Sequence, residues 1–224
     1  MGKGAQAARL DTMASRIGSR RTGGVTPPRP SSLRAFRQWS VDRLGRVAET
    51  KLIRSLRAVR QFSDREVPDD VLRDILDTGR WTGSSKNTQP WDLIVVKNRE
   101  TLAALAKCGQ FAGHLATAPL AIALVMRGDD AWSGMDEGRL MQNLMLAAWA
   151  HGVGSCIGSI FPKGNEQRAR ELLGIPKDRY LRTMLSIGYP AGPHALRLPP
   201  NTPIPRGRRP LDEIVSWERF GNRD

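Results

Sequence analysis

The chain has 224 residues, 40% of them apolar and 25% charged, which is enough for one domain with a continuous core and marginal for two. No apolar run approaches the roughly 18 residues of a membrane span, and Cys108 and Cys156 make neither a disulfide framework nor a zinc site; they read as free buried thiols in a reducing, cytoplasmic setting. The formal charge of +13 suggests a nucleic-acid partner, but ten of the 35 basic residues and only three of the 22 acidic ones fall in the first fifty positions, so more than half of the excess lies outside the main body of the chain.

Residues 1–30 are rich in Gly, Ser, Arg and Pro, lack hydrophobic periodicity and are expected to form a disordered basic arm. Arg20-Arg21 has no apolar core behind it and is no twin-arginine export signal. A plain tail, or initiation at Met13, is a simpler reading than an organellar leader. Residues 31–50 set Leu33, Phe36, Trp39, Val41, Leu44 and Val47 at roughly helical spacing, an amphipathic lead-in to a domain over 51–224. Val67-Pro68-Asp69-Asp70 opens a helix whose inner face is Val71, Leu72, Ile75 and Leu76. Trp91–Val96 and Leu120–Met126 read as buried strands with a short helix, Glu100–Lys107, between them. Asp136–Ala150 is the longest helical pattern, and its Leu140/Leu144/Ala148 stripe suits a subunit interface. Gly152–Gly158 reads as a cap and tight turn, Glu166–Leu173 as a helix, Thr183–Ile187 as a strand, and Leu211–Trp217 as a last helix. The interleaving predicts a layered α/β or α+β domain.

Two stretches carry chemistry. Thr82-Gly83-Ser84-Ser85-Lys86-Asn87-Thr88-Gln89-Pro90-Trp91 is a small, amide-rich turn that presents backbone N–H groups without bulk. Upstream, Arg57-Ala58-Val59-Arg60-Gln61-Phe62 supplies forked cations suited to a phosphate, and on a helix Arg57 and Arg60 would share a face. Together they suggest a site for a phosphorylated, planar, hydrogen-bond-rich cofactor. They resemble the R-x-x-R-x-F and P-S-x-x-N-x-Q-P-W hallmarks of the nitroreductase-like family of FMN-dependent oxidoreductases, with Gly83 in place of the usual proline.

The resemblance implies a three-layer α+β sandwich, a central mixed sheet flanked by helices, in an entwined homodimer with FMN at the interface. It implies that Arg57, Ala58, Val59 and Arg60 hold the flavin in one subunit, with Arg60 at the N1–C2=O edge where reduction places negative charge. Ser84, Ser85 and Asn87 reach it from the other. Ala58 stands where the family commonly has serine. Asp136-Glu137-Gly138-Arg139 through Gln142-Asn143 is similar to the family's dimer helix. Gly152-Val153-Gly154-Ser155-Cys156-Ile157-Gly158 is similar to segments that bring backbone amides to flavin N5, which implicates Gly158 and Ser159. Pro205-Arg206-Gly207-Arg208-Arg209-Pro210 resembles K-x-R-x-P, where Arg206 and Arg208 would clasp the phosphate.

Each feature also has a bland reading. An isolated arginine pair or basic tail loop is usually solvated, and Ser and Asn are ordinary turn formers. The glycines at 152, 154 and 158 follow a helix, so they are no dinucleotide fingerprint. His114, His151 and His194 are too far apart to suggest a metal site, and His114 reads as an ordinary polar residue with a flavin-side role as the alternative. The function implied is ping-pong transfer of hydride from NAD(P)H through flavin N5 to a nitroaromatic, quinone or similar small acceptor, with no catalytic side chain. Neither a membrane nor a nucleic acid is expected as partner. The alternatives are a flavin-fragmenting or reductively dehalogenating enzyme on the same scaffold, and a non-catalytic protein docking on RNA or an acidic partner through its arm.

Overall fold

In a computed structural model, which describes residues 48–160, 162, 164–198 and 201–223, the elements run α1 (Ala48–Ser55), α2 (Asp69–Arg80), β1 (Trp91–Val96), α3 (Arg99–Ala106), β2 (Leu120–Met126), α4 (Ala131–Ala150), β3 (Gly154–Ser159), α5 (Gly164–Leu173) and β4 (Tyr180–Gly188). The expected basic arm and most of the lead-in lie outside the described residues, and the boundary drawn at 50/51 falls inside α1.

The four strands pair in the order β1-β2-β4-β3, antiparallel throughout. Among the described residues the one parallel pairing is a bridge between Ala58 and Ser155 on the free side of β3. Every position of β2 is buried, and its alternate side chains feed two cores. Leu120, Ile122 and Leu124 pack with Ile75 of α2 and Leu140 and Leu144 of α4. Ala121, Ala123 and Val125 pack with Leu102 and Leu105 of α3 and Ala169 of α5. A sheet with helices on both faces is a three-layer α+β sandwich.

Local chemistry fixes the helix ends. Asn98 caps α3 by accepting from the Thr101 amide at 2.8 Å. Asp130 caps α4 through the Trp132 and Ser133 amides, so that helix starts five residues before the expected Asp136. At its other end Gly152 has φ +69, and the Val153 amide bonds back to Ala148, a Schellman closure.

Three expectations are corrected. The 152–158 stretch caps α4 only through Gly152; from Gly154 it is an edge strand rather than a turn, because β4 supplies its ladder partners. Leu211–Trp217 contains one 3₁₀ turn, Leu211–Glu213, and Leu211, Ile214 and Trp217 are exposed, so no apolar face sustains a helix there. The Leu140/Leu144/Ala148 stripe is fully buried in its own chain, against α2 and the sheet, and cannot face a partner. Gly79 lets α2 approach: a Cβ there would lie 2.4 Å from Leu144 Cδ2. Truncating Leu144→Ala should therefore lower the unfolding free energy by about 2–5 kcal/mol in denaturant titration. A near-zero change would mean that the stripe is not core.

Candidate functional site

The Arg57–Arg60 segment is not helical. Helix α1 ends at Ser55, and the chain then runs extended beside β3, with the Val59 amide donating to the Ser155 carbonyl at 2.9 Å. Val59 is completely buried against Gly154, where a Cβ would come within 2.5 Å of Val59 Cγ2. Ala58 and Val59 thus act through the backbone and packing, and the two arginines are left exposed on either side of them.

Two clefts meet on this segment, sharing Arg60, Gln61 and Leu198. The smaller, about 710 Å³, is lined by Arg57, Arg60, Arg197 and Arg208 together with His194 and, among the described residues, by no acidic one. Arg57 donates to the carbonyls of Arg54 and Leu56, and Arg208 to that of Gly207. Arg197 escaped the sequence reading; a lone basic residue in the connection after β4 gives no signal until the chain folds back. Arg206 lines neither cleft, so of the expected pair the structure brings in only Arg208.

The larger cleft, about 910 Å³, has Phe62, Phe111, Ile157, Leu198 and Ile204 as its apolar walls, with Arg60, Gln61, His114, Thr117 and Thr202 as its polar members. An apolar slot opening onto an arginine-lined one fits a flat ring bearing an anionic tail.

The β3 register decides which amides face out. The Ile160 amide donates to Arg182 on the β4 side, whereas the Ser155 carbonyl points outward to Val59. Strand alternation then turns Gly158 inward to β4 and Ile157 and Ser159 outward. Gly158 is therefore not the outward donor expected of it. Its Cα side faces Ala112, Leu115 and His114, and the Ser159 carbonyl is packed beneath Gly109. Ile157, absent from the sequence expectation, is the β3 residue that lines the cleft.

His114 is 8% exposed. Its Nε2 lies 3.2 Å from the Ile157 carbonyl, which can only accept, so Nε2 carries a proton; Nδ1, 2.8 Å from Ser186 Oγ, accepts in the neutral ring. Burial holds its pKa below the ordinary histidine value, the Ile157 bond opposes this, and the Arg60 charge adds to the lowering. Burial likewise raises the Cys156 thiol, which Arg60 partly offsets.

Ser84, Ser85 and Asn87 line neither cleft. Their loop is tied to α4: the Ser85 amide donates to Asp136 at 3.4 Å, and Asn143 donates to Thr82 Oγ1 at 2.8 Å. Ser84 Oγ accepts from the Gln89 amide. Lys86, Asn87 and Gln89 all have positive φ, a strained conformation for non-glycine residues that these ties hold in place. One chain therefore presents the arginine clefts and the amide loop as separate surfaces.

The sequence matches the model of the Nitroreductase family over residues 53–110 and 106–189. It is 33% identical over 147 residues to a protein of Archaeoglobus fulgidus whose name couples NADH dehydrogenase with NAD(P)H nitroreductase, covering 62% of this chain and 84% of that one. The fold is similar to an FMN-dependent nitroreductase from Clostridium difficile R20291 (TM-score 0.64, 24% identity, 75% of this chain and 98% of that one). It is also similar to an NADPH:FMN oxidoreductase from Vibrio harveyi complexed with NAD+ (TM-score 0.65, 20% identity, 79% of each chain).

The buried His114 makes stability depend on pH. Its folded pKa lies below the unfolded 6.5, so the unfolded chain binds the proton more readily. The stability contributed by the neutral ring is complete above about pH 6.5 and is lost as pH falls through the folded pKa. Arg60 and Cys156 are the ionisable groups acting on this face, and neither changes charge in that window. Denaturation series from pH 8 to 5 should show this loss in the wild type and a flatter profile in His114→Gln; matching profiles would exclude His114 as its source.

Proposed function

The chain belongs to the nitroreductase family, and from that premise we propose that it is an FMN-dependent oxidoreductase that takes electrons from NAD(P)H and delivers them to a nitroaromatic, quinone or similar small acceptor. The observation that carries the reading is the pair of joined clefts, one apolar and one lined by four arginines without a carboxylate. A cofactor with a flat ring and a phosphate tail matches both halves at once.

In this reading Arg57 and Arg208 hold the phosphate, trading bonds to neutral backbone carbonyls for charge-assisted ones. Arg60, common to both clefts, sets a fixed positive charge at the edge of the ring. Phe111, Ile157, Leu198 and Ile204 would exclude water from its faces. FMN, when held by these residues, would supply the chemistry of hydride and electron transfer between nicotinamide and acceptor. No side chain in the cleft is required as a general acid, since the mouth is open to solvent protons. Donor and acceptor share that mouth in turn, which gives ping-pong kinetics.

A second copy of the chain completes the site in this reading, bringing its Ser84–Asn87 loop to the cofactor. The loop is already rigid, and Trp81, Trp132 and Met135 beside it and at the start of α4 are exposed at 71%, 71% and 56%. Apolar surface of that extent suits cover by a partner.

Purified protein should be yellow, with about one flavin per chain, and should oxidise NAD(P)H when an acceptor is added; a colourless chain that added FMN does not reconstitute would overturn the proposal. Arg208→Ala should weaken FMN binding about ten- to a hundred-fold, the worth of a charged hydrogen bond of roughly 1.5–3 kcal/mol, whereas Arg206→Ala should change it far less. Equal effects in a fluorescence titration would mean that the arginine cleft does not hold the phosphate. Sedimentation should give a dimer for the flavin-loaded protein, and a loaded monomer would refute the shared site.

A further inference from the structure

The outward edge of β3 is held at three places by three different means. The Ser155 carbonyl accepts from the Val59 amide, and the Ser159 carbonyl is packed beneath Gly109. Between them, the Ile157 carbonyl is capped by the side chain of His114 at 3.2 Å, with the Cys156 thiol as a longer second donor at 3.7 Å. Ile157 is also the one β3 residue lining the apolar cleft, and its amide leaves from the same edge as its carbonyl. Whatever fixes this residue fixes the floor of the cleft.

His114 is placed to do so with little freedom. It sits in a 3₁₀ turn, Gly113–Thr117, with Gly158 close beneath it: a Cβ on that glycine would lie 3.6 Å from His114 Cε1. Its second nitrogen is anchored to Ser186 on β4, directly across the ladder from Cys156, so the ring ties the edge strand to an inner strand of the sheet. Ser186 Oγ also lies 3.3 Å from the Cys156 carbonyl. In the neutral state the hydroxyl proton goes to His114 Nδ1. If the ring is protonated, Nδ1 becomes a donor and the hydroxyl turns to Cys156. The cap on Ile157 survives either way, but protonation adds a second positive charge next to Arg60.

We propose that His114 is a positioning residue of the cleft: neutral and protonated on Nε2, it caps the Ile157 carbonyl and so fixes the β3 edge against which the cofactor ring lies. This rests on the FMN reading above for its consequence, though not for the geometry. The role is distinct from chemistry at the ring, since His114 acts through the backbone of Ile157 and its own nitrogens are both occupied.

The test compares wild type, His114→Gln and His114→Ala as full chains. The glutamine side-chain amide can reach the position of Nε2–H and replace the cap; alanine cannot. In cofactor-free protein labelled with ¹⁵N-histidine, the ring shifts of His114 above pH 7 should report the Nε2–H tautomer, and an Nδ1–H tautomer overturns the proposal. Amide exchange over residues 157–159 should quicken about fivefold in His114→Ala, the worth of one neutral hydrogen bond, and stay near wild type in His114→Gln. FMN titration should follow the same order, with affinity reduced about fivefold or more in the alanine variant and within about twofold of wild type in the glutamine variant. Two variants that behave alike, whether both intact or both impaired, overturn it. A wild-type chain that takes up no FMN overturns the cofactor reading alone, and the tautomer and exchange measurements then decide the role of His114.

Discussion

A missing side chain at Gly154 lets the extended 56–60 segment lie against the free edge of β3, and the placement of the cations follows from that contact. Val59 fills the space a Cβ would occupy, is wholly buried, and bonds through its amide to Ser155. With Val59 pinned, the backbones of Arg57 and Arg60 are held on either side of it. Three residues apart on an extended chain, their backbones lie about 10 Å apart along it. A helix would have converged them on one anion. The strand instead spreads them, with Arg57 in the smaller cleft and Arg60 where the two clefts join. Positive charge is therefore offered at two points along an elongated ligand.

How far this could be read beforehand depended on whether the cause was local. Strands β1 and β2 matched their expected limits because a β-branched or aliphatic run is bounded in each case by a proline, Pro90 and Pro119. Strand β3 was hidden: Gly-Ser-Cys-Ile-Gly-Ser has weak strand propensity, and its conformation comes from pairing with β4. The same tertiary cause makes Arg57–Arg60 extended, so the shared helical face considered for the two arginines does not form. The early start of α4 had a local signal, the Asp130 cap, which the exposed Trp132 and Gly134 masked. Of the residues singled out by motif resemblance, Arg57, Arg60 and Arg208 line the clefts, whereas Ser84, Ser85 and Asn87 do not. Arg197, Ile157 and the His114–Ser186 link were not legible in the sequence, because each depends on strand register or chain return.

The amide loop follows a different logic from the clefts. Three non-glycine residues at φ between 46 and 54 carry a conformational cost that the loop's own backbone bonds do not offset. The ties to Asp136 and Asn143 provide what is missing. Those two residues lie seven apart on α4, so two helical turns set the spacing of the loop's anchors. Motif residues that the sequence associates with dimerisation thus have a role inside one chain: they rigidify a surface before anything meets it. Ordering entropy is spent in folding rather than in binding.

The arginine-lined cleft shows the complementary economy of charge. Four guanidinium groups around one space repel one another, and among the described residues no carboxylate lines it to relieve them. Arg57 and Arg208 instead rest on neutral backbone carbonyls near their own positions. Such bonds are weaker than those to an anion, so a phosphate placed there would gain by displacing them and by removing the repulsion. The fold tolerates the unrelieved charge because the groups are on the surface, where water screens them. Closing a ligand and a second subunit over the same groups would lower that screening and strengthen their hold on an anion. An anionic ligand and a covering subunit would therefore be coupled in this cleft: each would make the other more favourable, and a bare cationic cleft is the state least suited to being buried.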